Sequence, residues 1–197
     1  MISKILWAIR GLFYKPFFGS YNLPSYIGKP LYIKNFKHIY IGKKVRIFPN
    51  ARIEVHDNLS KIVIKDNVSI GQNLHIISGC KQELIIGKNT TFSANVFVTN
   101  VDHKYDEIDK HILEQPLVNA NTKIGDNCFV GYGAVIQAGT VLGKQCIVGS
   151  NAVVRGIFPD YSVIVGIPAK IVKRYDVESR VWRKTDSKGN FIDDSTK

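Results

Sequence analysis

Residues 124–154 read Ile-Gly-Asp-Asn-Cys-Phe, Val-Gly-Tyr-Gly-Ala-Val, Ile-Gln-Ala-Gly-Thr-Val, Leu-Gly-Lys-Gln-Cys-Ile and Val-Gly-Ser-Asn-Ala-Val, closing on Val154. Six apolar residues, Ile124, Val130, Ile136, Leu142, Val148 and Val154, recur at strict intervals of six. Gly125, Gly131, Gly143 and Gly149 follow four of them, and Cys128, Ala134, Thr140, Cys146 and Ala152 fall four residues after five of them. A period of six fits neither a helix at about 3.6 residues per turn nor an alternating strand at about 2; it fits a flat coil built from one short strand and one corner per repeat.

The period continues upstream through Ile41, Ile47 and Ile53, then Ile64, Ile70 and Ile76, then Ile86, Phe92 and Val98. Taken three at a time, the fifteen anchors make five triangular coils of eighteen residues. The longer intervals, Ile53 to Ile64, Ile76 to Ile86 and Val98 to Ile124, all follow the third anchor of a coil. Insertions therefore leave at one corner, as a stacked solenoid requires, since only solvent-facing loops can grow without breaking the stack. Residues 20–40, with Leu31, Ile33, Phe36 and Ile39, read as a worn first coil, and Val163 to Ile171 as an incomplete last one. The expected fold is all-β, a parallel β-helix with helix confined to the ends and the long insertion.

At 197 residues and 45% hydrophobic composition the chain is one domain with enough apolar side chains for a core. We expect an amphipathic helix over 1–20, the β-helix over 21–174 with an insertion loop at 99–121, and a tail over 175–197 that forms a short docking helix followed by disorder. Cys128 and Cys146 share a repeat position eighteen residues apart and read as small stacked core residues, with Cys80 in a short insertion. That usage fits a reducing, cytoplasmic setting. The net charge of +11 asks for an anionic partner, but no nucleic-acid-binding pattern accompanies it, so nucleic acid is not expected.

Near the amino terminus, Ile2, Ile5, Leu6, Ile9, Leu12 and Phe13 share a helical face, Lys4, Arg10 and Lys15 supply charge, and no acid occurs before Glu54. The stretch is too short to span a bilayer and has no small-residue cleavage site. It reads equally as an interfacial helix giving residues 1–18 a peripheral membrane contact on the inner face of the cell membrane, or as a helix packed on the solenoid end or a neighbouring subunit. Of the five histidines, only His38 and His56, eighteen apart, are expected to stack, with His75 out of register. A three-imidazole metal site is not expected.

The insertion between Val98 and Ile124 begins Thr99-Asn100-Val101-Asp102-His103-Lys104-Tyr105-Asp106. A long loop without a repeat of its own, mounted on a rigid scaffold, is where chemistry concentrates. Histidine is the side chain that exchanges a proton near neutrality, so His103, flanked by Asp102 and Asp106, is the candidate general base. Most loop histidines do no chemistry, and the residues alone also allow an ordinary exposed side chain.

The repeat, the loop carrying His103, and the ending Val165-Gly166-Ile167-Pro168-Ala169-Lys170 together resemble the hexapeptide-repeat acyltransferases, in the branch of galactoside and maltose acetyltransferases and polysaccharide O-acetyltransferases. The resemblance spans roughly residues 41–174. It implies a left-handed parallel β-helix assembled as a homotrimer, with acetyl-CoA in the groove between adjacent subunits and no metal in the chemistry. Carried over by position, the catalytic histidine matches His103, the acceptor-binding asparagine falls at Asn73, and Asn95 and Asp102 join it as substrate-binding positions. Cofactor contacts fall at Tyr132, Gly133, Ser150, Asn151, Arg155 and Gly156, and the basic positions that meet the CoA phosphates match Lys170 and Lys173. Where many members carry Gly-Ala-Gly-Ser, this chain has Gly149-Ser150-Asn151-Ala152. The implied activity is acetyl-CoA-dependent O-acetyl transfer to a sugar hydroxyl of a surface polysaccharide or its lipid-linked precursor, by direct transfer with His103 as base. N-acetylation of an aminosugar nucleotide, and a solenoid scaffold without turnover, are the alternatives.

Overall fold

All fifteen anchors point inward, and none is more than 2% exposed. The computed structural model describes residues 2–192, apart from the side chains of Ile2 and Asn119. Each anchor sits beside its counterpart one coil away: Ile41 pairs with Ile64, Ile64 with Ile86, Ile86 with Ile124, and Ile124 with Leu142. The three anchor positions generate three stacked faces, of seven, nine and six strands. The coil-to-coil pairings are parallel and in register, so one apolar column runs the length of each face. No coil can bury its own side chains alone, and stability is shared between neighbours.

The close approach of coils at the corners explains the glycines after the anchors. A Cβ at Gly125 would lie 2.2 Å from the carbonyl oxygen of Gly143 on the next coil. The turns also hold non-glycine residues in the left-handed region, among them Asn67, Asn73, Asn89, Asn95 and Asn127. Asparagine tolerates that conformation better than other side chains. Cys128 and Cys146 lie in the core, as expected, and donate their thiol hydrogens to the carbonyls of Gly143 and Pro159. The neighbouring Cys146 sulfur, together with burial, pushes the Cys128 thiol well above its usual range.

Both ends differ from expectation. The first coil is complete: Tyr21, Ile27 and Ile33 take its anchor places and pair with Ile41, Ile47 and Ile53. Leu31 is 69% exposed instead, Phe36 begins a short 3-10 turn, and Ile39 joins the second coil beside Ile62. A tyrosine in the leading anchor place hides this coil from an aliphatic pattern, although its spacing of six is intact.

At the other end, the tail is extended rather than helical. Ala169–Asp176 runs antiparallel to both Ser162–Gly166 and Val181–Lys184, so the boundary at 174/175 falls inside a strand. Tyr175 stacks edge-on between Tyr161 and Trp182. Asp176 closes the turn by accepting hydrogen bonds from the Glu178 amide and the Ser179 hydroxyl. These cross-strand aromatic contacts favour a hairpin over an isolated helix. The expectations for Met1 and for residues 193–197 lie outside the described residues.

The helix Ile2–Tyr14 packs on the first coils through Trp7, whose ring meets Tyr26 and Phe48, and through Tyr14 against Phe36. The long insertion rises as an arm of two antiparallel strands, Val101–His103 and Leu117–Asn119, with a 3-10 turn at Ile112–Glu114.

The outer surface of the third face carries a polar cluster that the spacing did not reveal. Glu54, only 6% exposed, accepts a hydrogen bond from Arg52 Nε, and its two oxygens lie 3.1 Å from His75 Nε2 and 3.6 Å from His56 Nε2. The histidines brought together are thus His56 and His75, not His38 and His56. The cause is the insertion after Ile53, which displaces His75 from an eighteen-residue register but sets it directly opposite Arg52. Burial opposes ionisation of Glu54, but the hydrogen bonds from Arg52 and His75 outweigh it and hold the carboxyl below its usual range.

A carboxylate with a lowered folded-state pKa contributes stability that is present above its unfolded value, about 4.3, and lost as pH falls through the folded value. Glu54→Gln should cost about 1–3 kcal/mol at neutral pH, because Arg52 and His75 lose a charged acceptor. In urea unfolding at stepped pH, the wild-type protein should lose stability below about pH 4 more steeply than the variant.

Candidate active site

The arm leaves the solenoid at the corner after the third face, and buried polar side chains fix its root. Asn100, fully buried, accepts from the Gly79 amide at 3.0 Å and donates to the Ser78 hydroxyl at 3.2 Å, while its carbonyl accepts from the Ala120 amide at 3.0 Å. Thr122, also fully buried, donates to the Thr99 carbonyl and accepts from the Gly139 amide, each at 3.0 Å. A loop tied at both ends to buried partners holds its functional side chains in place more firmly than a free loop does. Neither residue was singled out from sequence, since a polar residue flanking a loop carries no distinctive pattern.

His103 ends the first strand of the arm and lines a cleft of about 290 Å³ together with Asp102, Lys104, Tyr105, Asp106, Val118, Ala120, Ala138 and Arg155. Its Nδ1 is buried and has no hydrogen-bond partner among the described residues. Asp102 does not orient the ring: one of its oxygens accepts from the His103 backbone amide at 2.9 Å, and the other lies 3.7 Å from Arg155 Nη1. Adjacent side chains on an extended strand point to opposite sides, which keeps this carboxylate off the neighbouring imidazole. The ion pair is exposed on both sides and worth at most about 1 kcal/mol. Asp106 pairs with Lys104 at 3.3 Å.

The other expected site residues divide between two places. Arg155 and Gly156 lie on the same corner as the arm; Gly156 has φ +120°, and a Cβ there would meet nothing within 4 Å. Asn73, Asn95, Tyr132, Gly133, Ser150 and Asn151 lie instead on the corner between the second and third faces. There Asn73 donates to Asn95 at 2.7 Å, and Asn95 donates to the Tyr132 hydroxyl. This ladder joins successive coils and gives Asn73 and Asn95 a structural role within the chain. Gly133 (φ +69°) faces Asn151, whose Oδ1 lies 2.2 Å from where a Cβ would be. Lys170 and Lys173 are exposed on the strand Ala169–Asp176. Among the described residues, no cluster of three or more His, Cys, Asp or Glu side chains is arranged to hold a metal ion.

In chemical terms, the arm corner offers an imidazole with an unspent buried nitrogen, a cationic side chain beside it and an apolar floor at Ala138. Such a cleft can take a proton from a bound hydroxyl or amine and place an anionic group against the guanidinium.

Residues 121–156 match the family model described as bacterial transferase hexapeptide (six repeats). The Escherichia coli (strain K12) protein WbbJ, whose name assigns it to lipopolysaccharide biosynthesis as an O-acetyl transferase, is 31% identical over 165 residues, covering 79% of this chain and 81% of its own length. The acetyltransferase Rv3034c of Mycobacterium tuberculosis is 30% identical over 133 residues, 68% of this chain and 43% of its own. Among solved structures, AntD, an N-acyltransferase from Bacillus cereus in complex with dTDP and 3-hydroxybutyryl-CoA, superposes with a TM-score of 0.71 at 19% identity, covering 86% of this chain and 90% of its own. The fold and the repeat together define a left-handed parallel β-helix. The chain belongs to the hexapeptide-repeat acyltransferases, and it is an enzyme of that class.

Replacing Gly133 with alanine places a β-carbon at a left-handed φ and against Asn151, and should lower stability by about 1–3 kcal/mol. Thermal unfolding should show this loss, with partial recovery when Asn151→Gly is added to remove the facing side chain.

Proposed function

We propose that the protein transfers the acetyl group of acetyl-CoA to a sugar hydroxyl of a surface polysaccharide or its lipid-linked precursor, with His103 as general base. The observation that carries this reading is the His103 ring, which lines the arm cleft with a buried and unpartnered nitrogen. The imidazole takes the proton of the hydroxyl as the oxygen attacks the thioester carbonyl. The tetrahedral oxyanion then collapses, and the CoA thiolate leaves, taking the proton from the ring and restoring the neutral imidazole. Positioning of the two reactants supplies about 7 kcal/mol or more of the barrier, and base catalysis adds about 10²–10⁴-fold. Direct transfer is preferred because Cys128 and Cys146 are buried core thiols.

The reading includes a homotrimer. Within one protomer His103 and Arg155 occupy one corner while Asn73, Tyr132, Ser150 and Asn151 occupy another. Both sets serve one substrate pair only when a groove between subunits brings the corners of adjacent protomers together. Phe129 (44% exposed) and Ile147, adjacent on the outer side of the second face, supply apolar surface for such contact. Lys170 and Lys173, with Arg155, then meet the CoA phosphates, for which their charge and exposure suit them. A cytoplasmic site of action follows from where acetyl-CoA is available. Oxygen rather than nitrogen is favoured as acceptor by WbbJ, which is closer in sequence than the N-acyltransferase AntD.

His103→Ala should leave the circular-dichroism spectrum unchanged and reduce acetyl transfer on the order of a hundredfold or more. Near-normal turnover would remove the base assignment. A product formed with labelled acetyl-CoA should release its label in mild alkali as an ester does; an alkali-stable product would mark an amide and transfer to nitrogen.

A further inference from the structure

The amino-terminal helix carries two apolar faces, and the solenoid covers one of them. Trp7, Gly11 and Tyr14, three and four residues apart, form the docked side: Trp7 meets Tyr26 and Phe48, Gly11 is buried against Tyr21, and Arg10 on the same side donates to the Ile27 carbonyl. The opposite side is the one legible in the sequence, and among the described residues nothing covers it. Ile5, Leu6, Ile9, Leu12 and Phe13 are 45–74% exposed along its length, and Phe17, just past the last turn, is 60% exposed. At 100° per residue these five helical side chains fill one stripe centred away from Trp7; Lys4 lies between that stripe and the docked side, and Lys15 follows the last helical residue.

Charge selects what this stripe meets. The first 53 residues contain ten Lys and Arg and no Asp or Glu, so nearly all of the net +11 belongs to the helix and the first coils. Lys4, Lys15, Lys29, Lys34, Lys37, Lys43 and Lys44 are all exposed there. A second copy of the chain meeting this face would bring the same positive charge to it. An exposed apolar stripe on a short helix, set in a segment whose charged side chains are all Lys or Arg, is the arrangement that lies in the plane of an anionic lipid surface.

We infer that this face seats the protein on an anionic bilayer, with the helix in the headgroup layer and the docked Trp7 side fixing the solenoid to it. The apolar side chains enter the acyl boundary while the lysines meet acidic headgroups. The active-site arm is mounted on the solenoid and not on the helix, so membrane seating and chemistry are separable. An acceptor carried on a lipid would then meet the enzyme at the surface that holds both. The seating itself holds whichever atom accepts the acetyl group.

Flotation of full-length protein with vesicles tests this. The protein should float with an equal mixture of phosphatidylcholine and phosphatidylglycerol, remain unbound with phosphatidylcholine alone, and bind progressively less as salt is raised. Leu12→Glu combined with Phe13→Glu should lower the bound fraction at least tenfold, with an unchanged circular-dichroism spectrum and unchanged mass by sedimentation equilibrium. Lys4→Glu with Lys15→Glu leaves every apolar residue in place and should weaken binding severalfold, so the inference stays testable if the first variant fails to fold. Absence of flotation by the wild-type protein, or equal flotation by a folded variant, overturns the inference. A fall in oligomeric mass without vesicle binding overturns it in favour of a second copy covering this face.

Discussion

The structure depends on one constraint: each buried side chain must lie directly beside the residue in the same place on the next coil. Parallel strands in register put Ile41, Ile64, Ile86, Ile124 and Leu142 in one column, and corresponding columns fill the other two faces. An extra residue inside a strand would turn every following side chain the wrong way. Added sequence can therefore leave only at a corner, and this chain places its insertions at the corner after the third face. That corner is consequently where the arm rises and where the cleft lined by Arg155 and His103 opens. The location of the candidate site follows from the packing rule of the core.

Rigidity at the root of the arm is a second consequence. Asn100 and Thr122 are polar and fully buried, which is costly unless every bond they offer is used, and each is bonded on both sides. The pair ties a protruding loop to the stacked coils. At the opposite corner the same need for coil-to-coil contact produces the ladder of Asn73, Asn95 and Tyr132. Asn73 and Asn95, expected from the resemblance to meet substrate, are seen here joining successive coils.

The two ends of the spiral meet different problems. An open stack exposes unpaired strand edges. At the carboxyl end the chain folds back as Ala169–Asp176 and Val181–Lys184 and extends the second face with antiparallel strands. At the amino end, a complete but disguised coil carries a helix on its outer side. The charge of the molecule concentrates there, far along the chain from the arm.

By itself the sequence determined the three-sided coil, the inward anchors, the single corner for insertions, the loop that carries His103 and the core places of Cys128 and Cys146. All of these are recorded in a spacing of six, because spacing registers which positions are buried. It did not determine that Tyr21 opens a coil, that the tail is extended, that His56 and His75 share Glu54, or that Asp102 turns to Arg155 and its own backbone neighbour. Those depend on which residues face each other across loops of unequal length and on what each side chain finds there. Such pairings are settled only when the coils stack, since an insertion shifts sequence distance without shifting position in space.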